Sequence, residues 1–122
     1  MSNSLRNTII LEKIIDYCND VDEFIEQYGN TYEALIGNKS YKYSISLCIL
    51  QIGELADKLT DSFKEKYANV PWLTIKNMRN IVAHEYEKFD YEIVWETMQL
   101  NIPELRDYCQ VALKQLQQEG EN

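Results

Sequence analysis

The chain has 122 residues and carries 12 basic against 20 acidic side chains, which gives a formal net charge of −8. A hydrophobic fraction of 45% with four glycines and two prolines is typical of an ordered, helix-rich globular protein, and the length predicts one domain spanning residues 1–122. The acidic balance argues against DNA as a partner and against broad affinity for any nucleic acid, which requires a basic face. A small basic cleft remains compatible with this charge.

Targeting and membrane signals point to a cytoplasmic protein. No apolar run approaches the roughly 20 residues that cross a bilayer, so no membrane partner is expected. The first residues, MSNSLRNTII, lack the basic region and long apolar core of a secretory signal.

The three cysteines, Cys18, Cys48 and Cys109, are odd in number, far apart and set among apolar neighbours at helical spacing. This pattern predicts buried free thiols and not a disulfide framework. A chain with one histidine and no paired cysteines is also a poor candidate for zinc. We therefore expect neither a metal nor a cofactor.

Apolar residues recur every three or four positions along most of the chain, which predicts helices. The expected helical segments are 5–28, a short turn at 31–36, 40–59, 62–67, 71–86 and 91–118. Gly29-Asn30 is expected to close the first, and Ser40, Asp61 and Asp90 are expected to cap the third, fourth and last. Pro71 takes the first position of the central helix, and Pro103 is expected to kink or split the last one near Asn101. Together these segments predict an all-α, up-and-down four-helix bundle with an additional short helix.

Two neighbouring residues inside the second long helix call for an explanation. Gly53 costs a helix interior about 1 kcal/mol relative to alanine, so we expect another helix to approach closely at this point. Glu54 beside it can either orient Arg79 or simply face water.

The central segment 72–86 contains the histidine and sets four polar residues into an apolar helical frame: Arg79, Asn80, His84 and Tyr86. Arginine is a permanent cation suited to phosphate, and histidine exchanges protons near neutral pH. At about 100° per residue, Asn80 and His84 share a face, whereas Arg79 lies roughly 140° from His84. A long side chain, a fraying helix end or a second subunit is therefore needed to bring Arg79 and His84 together.

Each of these residues also has an ordinary structural explanation. His84 can be a buried histidine bonded to a backbone carbonyl, and Arg79 can pair with an acidic neighbour such as Glu54 or Glu85. Tyr86 alone would be an ordinary half-buried tyrosine. Lys76, one turn before Arg79, can extend a basic cleft that binds RNA or merely be exposed.

The run Arg79-Asn80-x-x-x-His84-x-Tyr86, preceded by Pro71-Trp72 and Met78, resembles the signature of the HEPN superfamily. More narrowly, it is similar to the HepT-like toxins of toxin–antitoxin pairs. The segments 52–54 and 91–105 also match the layout of that family, so the resemblance covers nearly the whole chain.

The resemblance implies a HEPN-like fold and a metal-independent endoribonuclease that cleaves tRNA or mRNA through attack of the ribose 2′-oxygen. It assigns catalytic roles to Arg79, Asn80 and His84, with two copies meeting across a homodimer cleft. It further implies that a cognate nucleotidyltransferase antitoxin neutralises the toxin by adding AMP to Tyr86.

Two other functional classes stay open. The chain can be a catalytically silent HEPN subunit that binds a nucleotidyltransferase partner and assists nucleotide binding. It can also be a purely structural helical dimer. Cleavage of RNA by the isolated protein separates the enzyme from both.

Overall fold

The computed structural model describes residues 3–84 and 90–120, and the side chains of residues 3 and 81–84 are outside that description. The helices of the described part are α1 (Asn3–Tyr28), α2 (Tyr32–Ile36), α3 (Lys39–Asp57), α4 (Asp61–Lys66), α5 (Trp72–His84), α6 (Tyr91–Glu96) and α7 (Ile102–Gly120), with a π-helical turn at Thr97–Asn101 between α6 and α7. No strand occurs in these residues, and the prediction of an all-α helical bundle is confirmed.

The bundle is built from the four long helices. Helix α3 packs against both α1 and α5, and α7 packs against α1. Three short helices accompany them, where one was expected. Helices α2 and α4 both form, and the region after residue 90 begins with a separate short helix, α6. In the described residues, no helix is long and apolar enough to cross a membrane.

Two of the predicted helix ends are confirmed, and two predicted caps are wrong. Gly29 follows α1 with a φ of 115°, a conformation that favours glycine, and it closes the helix as expected. Asp90 caps α6 as predicted, accepting a bond of 2.9 Å from the backbone N–H of Glu92. Two other predicted caps, at Ser40 and Asp61, are wrong.

The actual caps lie one or two residues earlier. The side chain of Asn38 accepts a 3.2 Å bond from the backbone N–H of Tyr41, and Thr60 accepts one of 3.3 Å from Phe63. In both, the acceptor lies three residues before the donor, the geometry that satisfies a free N–H in the first turn. Ser40 and Asp61 already lie inside their helices.

Proline splits the last helical region near Asn101, as predicted. Pro103 is the second residue of α7, and it has no N–H to donate to the carbonyl of Gln99. The preceding turn widens into a π-helix, in which the N–H of Ile102 donates to the carbonyl oxygen of Thr97.

The core lies between the long helices and consists of aliphatic, aromatic and sulfur side chains. Leu11, Ile14, Leu35, Tyr41 and Ile45 have no exposed surface. The three cysteines are buried and free, which confirms the prediction for them.

Candidate active site

Arg79 lies on α5 where this helix crosses α3, and the crossing is unusually close. A Cβ atom placed on Gly53 would lie 2.3 Å from Cβ and 2.7 Å from Cγ of Arg79. These atoms are near the backbone of α5, so a side-chain rotation cannot relieve the overlap. The expected close approach at Gly53 is confirmed, and the neighbour that requires it is Arg79.

Glu54, the next residue of α3, binds the Arg79 guanidinium. Its Oε1 atom lies 2.5 Å from Nε and 2.5 Å from Nη2 of Arg79. The two side chains are 31% and 39% exposed, so the pair lies at the edge of the bundle and not in its interior. Of the two expectations for Glu54, the structure therefore shows the one in which it orients Arg79.

Asn80 completes the arrangement by accepting a 2.7 Å bond from Nη1 of Arg79 through its side-chain oxygen. Because arginine has donors only, the amide of Asn80 must present its oxygen here, which leaves its NH₂ group for another acceptor. Three of the five N–H groups of Arg79 are engaged by Glu54 and Asn80. The two that remain can bind an oxyanion while the guanidinium is held in place.

The other candidate residues fall into two groups. Lys76 is exposed on α5, one turn before Arg79, and lines a pocket beside the α3–α5 crossing. His84 is the last residue of α5, but its side chain, and the whole of Tyr86, lie outside the described residues. The structure thus brings Arg79 and Asn80 together and describes no contact of His84 or Tyr86.

One feature near this cluster was missed by sequence reasoning. Tyr43, Leu47, Leu50 and Glu54 follow one another at intervals of four, three and four, so they form one stripe on the face of α3 opposite the core. Tyr43 is 50% and Leu47 56% exposed, and Leu50 is half-buried. The same spacing could have revealed this second apolar face, which ends at the carboxylate that holds Arg79.

The cysteines take no part in this cluster. Burial raises the pKa of Cys18, Cys48 and Cys109 to about 12, so these thiols stay protonated at neutral pH and are poor nucleophiles. Within residues 3–84 and 90–120, no group of three or more histidine, cysteine or acidic side chains is arranged to hold a metal ion.

These observations define a small all-α protein with a candidate anion-binding arginine held between two helices. The chain belongs to the ribonuclease HepT-like family, whose model matches residues 8–112. No solved structure is similar enough to match the chain.

Three relatives illustrate the relationship. Two are proteins of Methanocaldococcus jannaschii: "Putative RNase MJ1216", 33% identical over 92% of this chain and 91% of its own length, and "Putative RNase MJ0125", 33% identical over 88% and 91%. The third, "Probable ribonuclease HepT" of Thermococcus cleftensis, is 26% identical over 75% of this chain and 87% of its own length.

Proposed function

We propose that this protein is the cytoplasmic toxin of a HEPN–nucleotidyltransferase toxin–antitoxin pair, a metal-independent endoribonuclease that cleaves tRNA or mRNA. The observation that carries the proposal is the guanidinium of Arg79. It is fixed by Glu54 and Asn80 and keeps two N–H groups for a phosphate. Membership of a ribonuclease family supports RNA as the source of that phosphate.

The reaction needs one fixed cation and groups that move protons near neutral pH. The ribose 2′-hydroxyl gives its proton to a base, its oxygen attacks the adjacent phosphorus, and the 5′-oxygen leaves with a proton from an acid. The products are a 2′,3′-cyclic phosphate and a 5′-hydroxyl. Arg79 stabilises the charge that develops on the phosphoryl oxygens, Asn80 donates through its NH₂ group, and His84 transfers the proton.

A base and an acid are both needed, yet each chain has one histidine. A homodimer supplies two, with His84 of one copy and His84 of the other at a shared cleft. It also resolves the separation of roughly 140° between Arg79 and His84 around one helix, because the arginine of one copy can serve the histidine of the other.

The exposed stripe of α3 supports such a dimer. Tyr43, Leu47 and Leu50 present an apolar face along α3. The stripe ends at Glu54, so a second copy seated on it lies next to the Arg79 guanidinium. We propose that the two stripes pack on each other around a two-fold axis.

Cleavage is tested with purified protein, total RNA and EDTA. The expected result is cleavage that persists in the chelator, leaves cyclic phosphate ends and is lost in His84→Ala. Intact RNA at high protein concentration would instead favour a silent subunit that binds a nucleotidyltransferase and assists nucleotide binding.

Neutralisation is proposed to act through Tyr86. The tyrosine oxygen attacks the α-phosphorus of ATP on the antitoxin and diphosphate leaves, so the toxin carries an AMP ester near its phosphate site. That anion occupies the Arg79 clamp and repels incoming RNA. This step rests on the family resemblance and on the spacing of Tyr86 from His84.

Co-expression with the antitoxin is expected to raise the intact mass by one or more AMP units. Tyr86→Phe is expected to abolish that gain and to leave a toxin that still slows growth. An unchanged mass, or AMP on another of the nine tyrosines, contradicts the assignment.

A further inference from the structure

An open pocket of about 240 Å³ lies beside the α3–α5 crossing, next to the cluster of Glu54, Arg79 and Asn80. One wall is the end of α3, where Gly53 and Asp57 lie. The other wall is formed by Lys64 of α4 and by the start of α5, with Lys76. A wider hollow of about 550 Å³ continues from it along α4 and shares Lys64.

The pocket adjoins the candidate phosphate site through Gly53, although Glu54, Arg79 and Asn80 do not line it. Gly53 lines the pocket and is also the residue that Arg79 lies against. Lys76 precedes Arg79 by three residues, which places the two cations one turn apart on neighbouring faces of α5. Lys76 is thus the pocket lysine that shares a helix with Arg79, and Lys64 lines the same pocket from α4.

The ammonium groups of Lys64 and Lys76 are not held by carboxylates, unlike two other cations of the described surface. Lys66 pairs with Glu119 and Arg106 with Asp22. Within the described residues, neither Lys64 nor Lys76 has an ion pair, and the ammonium of Lys64 lies 3.4 Å from the backbone oxygen of Asp57. The 240 Å³ pocket is lined by these two lysines and by one carboxylate, Asp57, so its net charge is positive in a chain whose net charge is −8. The hollow beyond it is lined by Asp61 and Glu65, so this positive charge, which favours an anionic ligand, is confined to the pocket.

The pocket also has an apolar wall. Leu73 is 70% exposed, more than any other large apolar side chain that the structure describes. The indole of Trp72 is half-buried and held by a 3.1 Å bond from its N–H to the carbonyl oxygen of Tyr67. A fixed aromatic ring with an exposed leucine beside it can contact the apolar face of an unpaired base.

We propose that the groove formed by this pocket, lined by Lys64, Trp72, Leu73 and Lys76, holds the single-stranded RNA that flanks the scissile phosphate. Lys76 and Lys64 contact successive phosphates, and Leu73 with Trp72 contacts a base. This inference rests on the proposed ribonuclease function and deepens it, because it assigns Lys64 and the apolar wall to the binding of substrate. A groove that combines backbone cations with an apolar platform fits single-stranded nucleic acid of mixed sequence.

Binding is measured separately from cleavage so that the two proposals can fail independently. The probe is a fluorescent 20-nucleotide RNA of mixed sequence with every 2′-hydroxyl methylated, which binds but lacks the attacking oxygen. Fluorescence anisotropy at several salt concentrations gives the slope of log K against log salt. Each phosphate contact to single-stranded RNA contributes about 0.7 to that slope.

We expect Lys64→Ala and Lys76→Ala each to weaken binding and to reduce the slope by about 0.7, and the double variant by about 1.4. Lys64→Arg keeps the parental slope because it keeps the charge. Leu73→Ala weakens binding without changing the slope, since it removes no phosphate contact. Lys114→Ala, at an exposed lysine of α7, is the matched control and retains the parental slope.

With cleavable RNA, Lys64→Ala is expected to raise KM and to leave kcat unchanged. A parental slope in the double variant overturns the groove, even if Arg79 proves essential for cleavage. A reduced slope in a protein that cleaves no RNA keeps the groove and removes the ribonuclease. If the double variant binds RNA like the parent but no longer binds the antitoxin, the groove is a protein-docking surface and the proposal is wrong.

Discussion

Two pairs of long helices in this bundle are each bridged by an arginine and a carboxylate. Arg79 of α5 binds Glu54 of α3, and Arg106 of α7 binds Asp22 of α1. The chemistry is the same, and each arginine also bonds to an asparagine, Asn80 or Asn19. An ion pair of this kind does not by itself distinguish a structural clasp from a functional site.

The surroundings of the two pairs differ. At the α3–α5 crossing, Gly53 lets the helices approach until the Arg79 side chain lies against the backbone of α3. At the α1–α7 contact, the Arg106–Asp22 pair lies near Cys18, a core residue with no exposed surface. The α3–α5 contact therefore lies next to an exposed apolar stripe and an open groove, whereas the α1–α7 contact lies next to the core.

The largest expected effect is a loss of RNA cleavage, and it differs between the two arginines. Arg79→Ala removes the proposed phosphate clamp and is expected to lower the rate of RNA cleavage by about 100-fold or more. Arg106→Ala is the matched control, with cleavage retained. Since both pairs are partly exposed, urea unfolding should show a loss of no more than about 1 kcal/mol for either variant. An equal loss of cleavage in a folded Arg106→Ala protein would remove the contrast between the two bridges.

The second prediction compares exposed apolar residues on the two helix pairs. Leu47→Asp places a charge in the middle of the α3 stripe and is expected to weaken the homodimer about 10- to 100-fold, as loss of one buried leucine does. Val111→Asp changes a residue of α7 that is 55% exposed, close to the 56% of Leu47. Sedimentation should show a monomer for the first variant and a dimer for the second.

A dimer for Leu47→Asp and a monomer for Val111→Asp would place the interface on α7. If both variants sediment like the parent, the α3 stripe is not where two copies meet, and the shared-cleft mechanism loses its support.

The third prediction tests the close approach itself. Gly53→Ala is expected to destabilise the protein by about 1–3 kcal/mol, as overpacking does, and to displace Arg79 and lower cleavage. The penalty should persist in an Arg79→Ala background, because the overlap is with Cβ. It should disappear in an Arg79→Gly background, where Cβ is gone. A penalty of the same size in all three backgrounds would assign the effect to another neighbour.

Local sequence signals predicted a large part of this fold. Hydrophobic periodicity predicted the long helices, a proline predicted the division before α7, and Gly53 predicted a close helix crossing. Two predicted N-caps, Ser40 and Asp61, were wrong because the nearby Asn38 and Thr60 are equally competent caps. Which one acts depends on where the first turn begins, and tertiary packing shifts that by a residue or two.

The candidate site was less accessible to sequence reasoning. The sequence offered two acidic partners for Arg79, Glu54 and Glu85. Glu54 contacts Arg79 only because α3 and α5 cross at this point. Helix α3 carries apolar residues on two faces, and the sequence does not say which of them the bundle covers. Lys64 is 15 residues from Arg79 in the chain, and the groove that relates them exists only after α4 and α5 pack.

The smallest expected effect concerns the buried thiols, which occur in both helix pairs: Cys18 and Cys109 on α1 and α7, and Cys48 on α3. Burial raises the pKa of each from 9.0 to about 12. Between these values the folded chain keeps protons that the unfolded chain loses. The stabilisation is therefore complete below pH 9 and falls as the pH rises towards 12.

Urea unfolding should thus show a free energy of unfolding that declines above pH 9. Lysines and tyrosines also titrate in this range, so the informative quantity is the difference between the parent and a Cys→Ala variant. Loss of the sulfur lowers stability by an amount that does not depend on pH below 9, whereas above pH 9 the variant should decline less steeply than the parent. We expect this for Cys109→Ala in the α1–α7 contact and for Cys48→Ala in α3 alike, because burial is the main cause in both. A decline as steep in the variant as in the parent would mean that the thiol of that helix pair is open to solvent, and the two contacts would then differ in their packing as well as in their arginines.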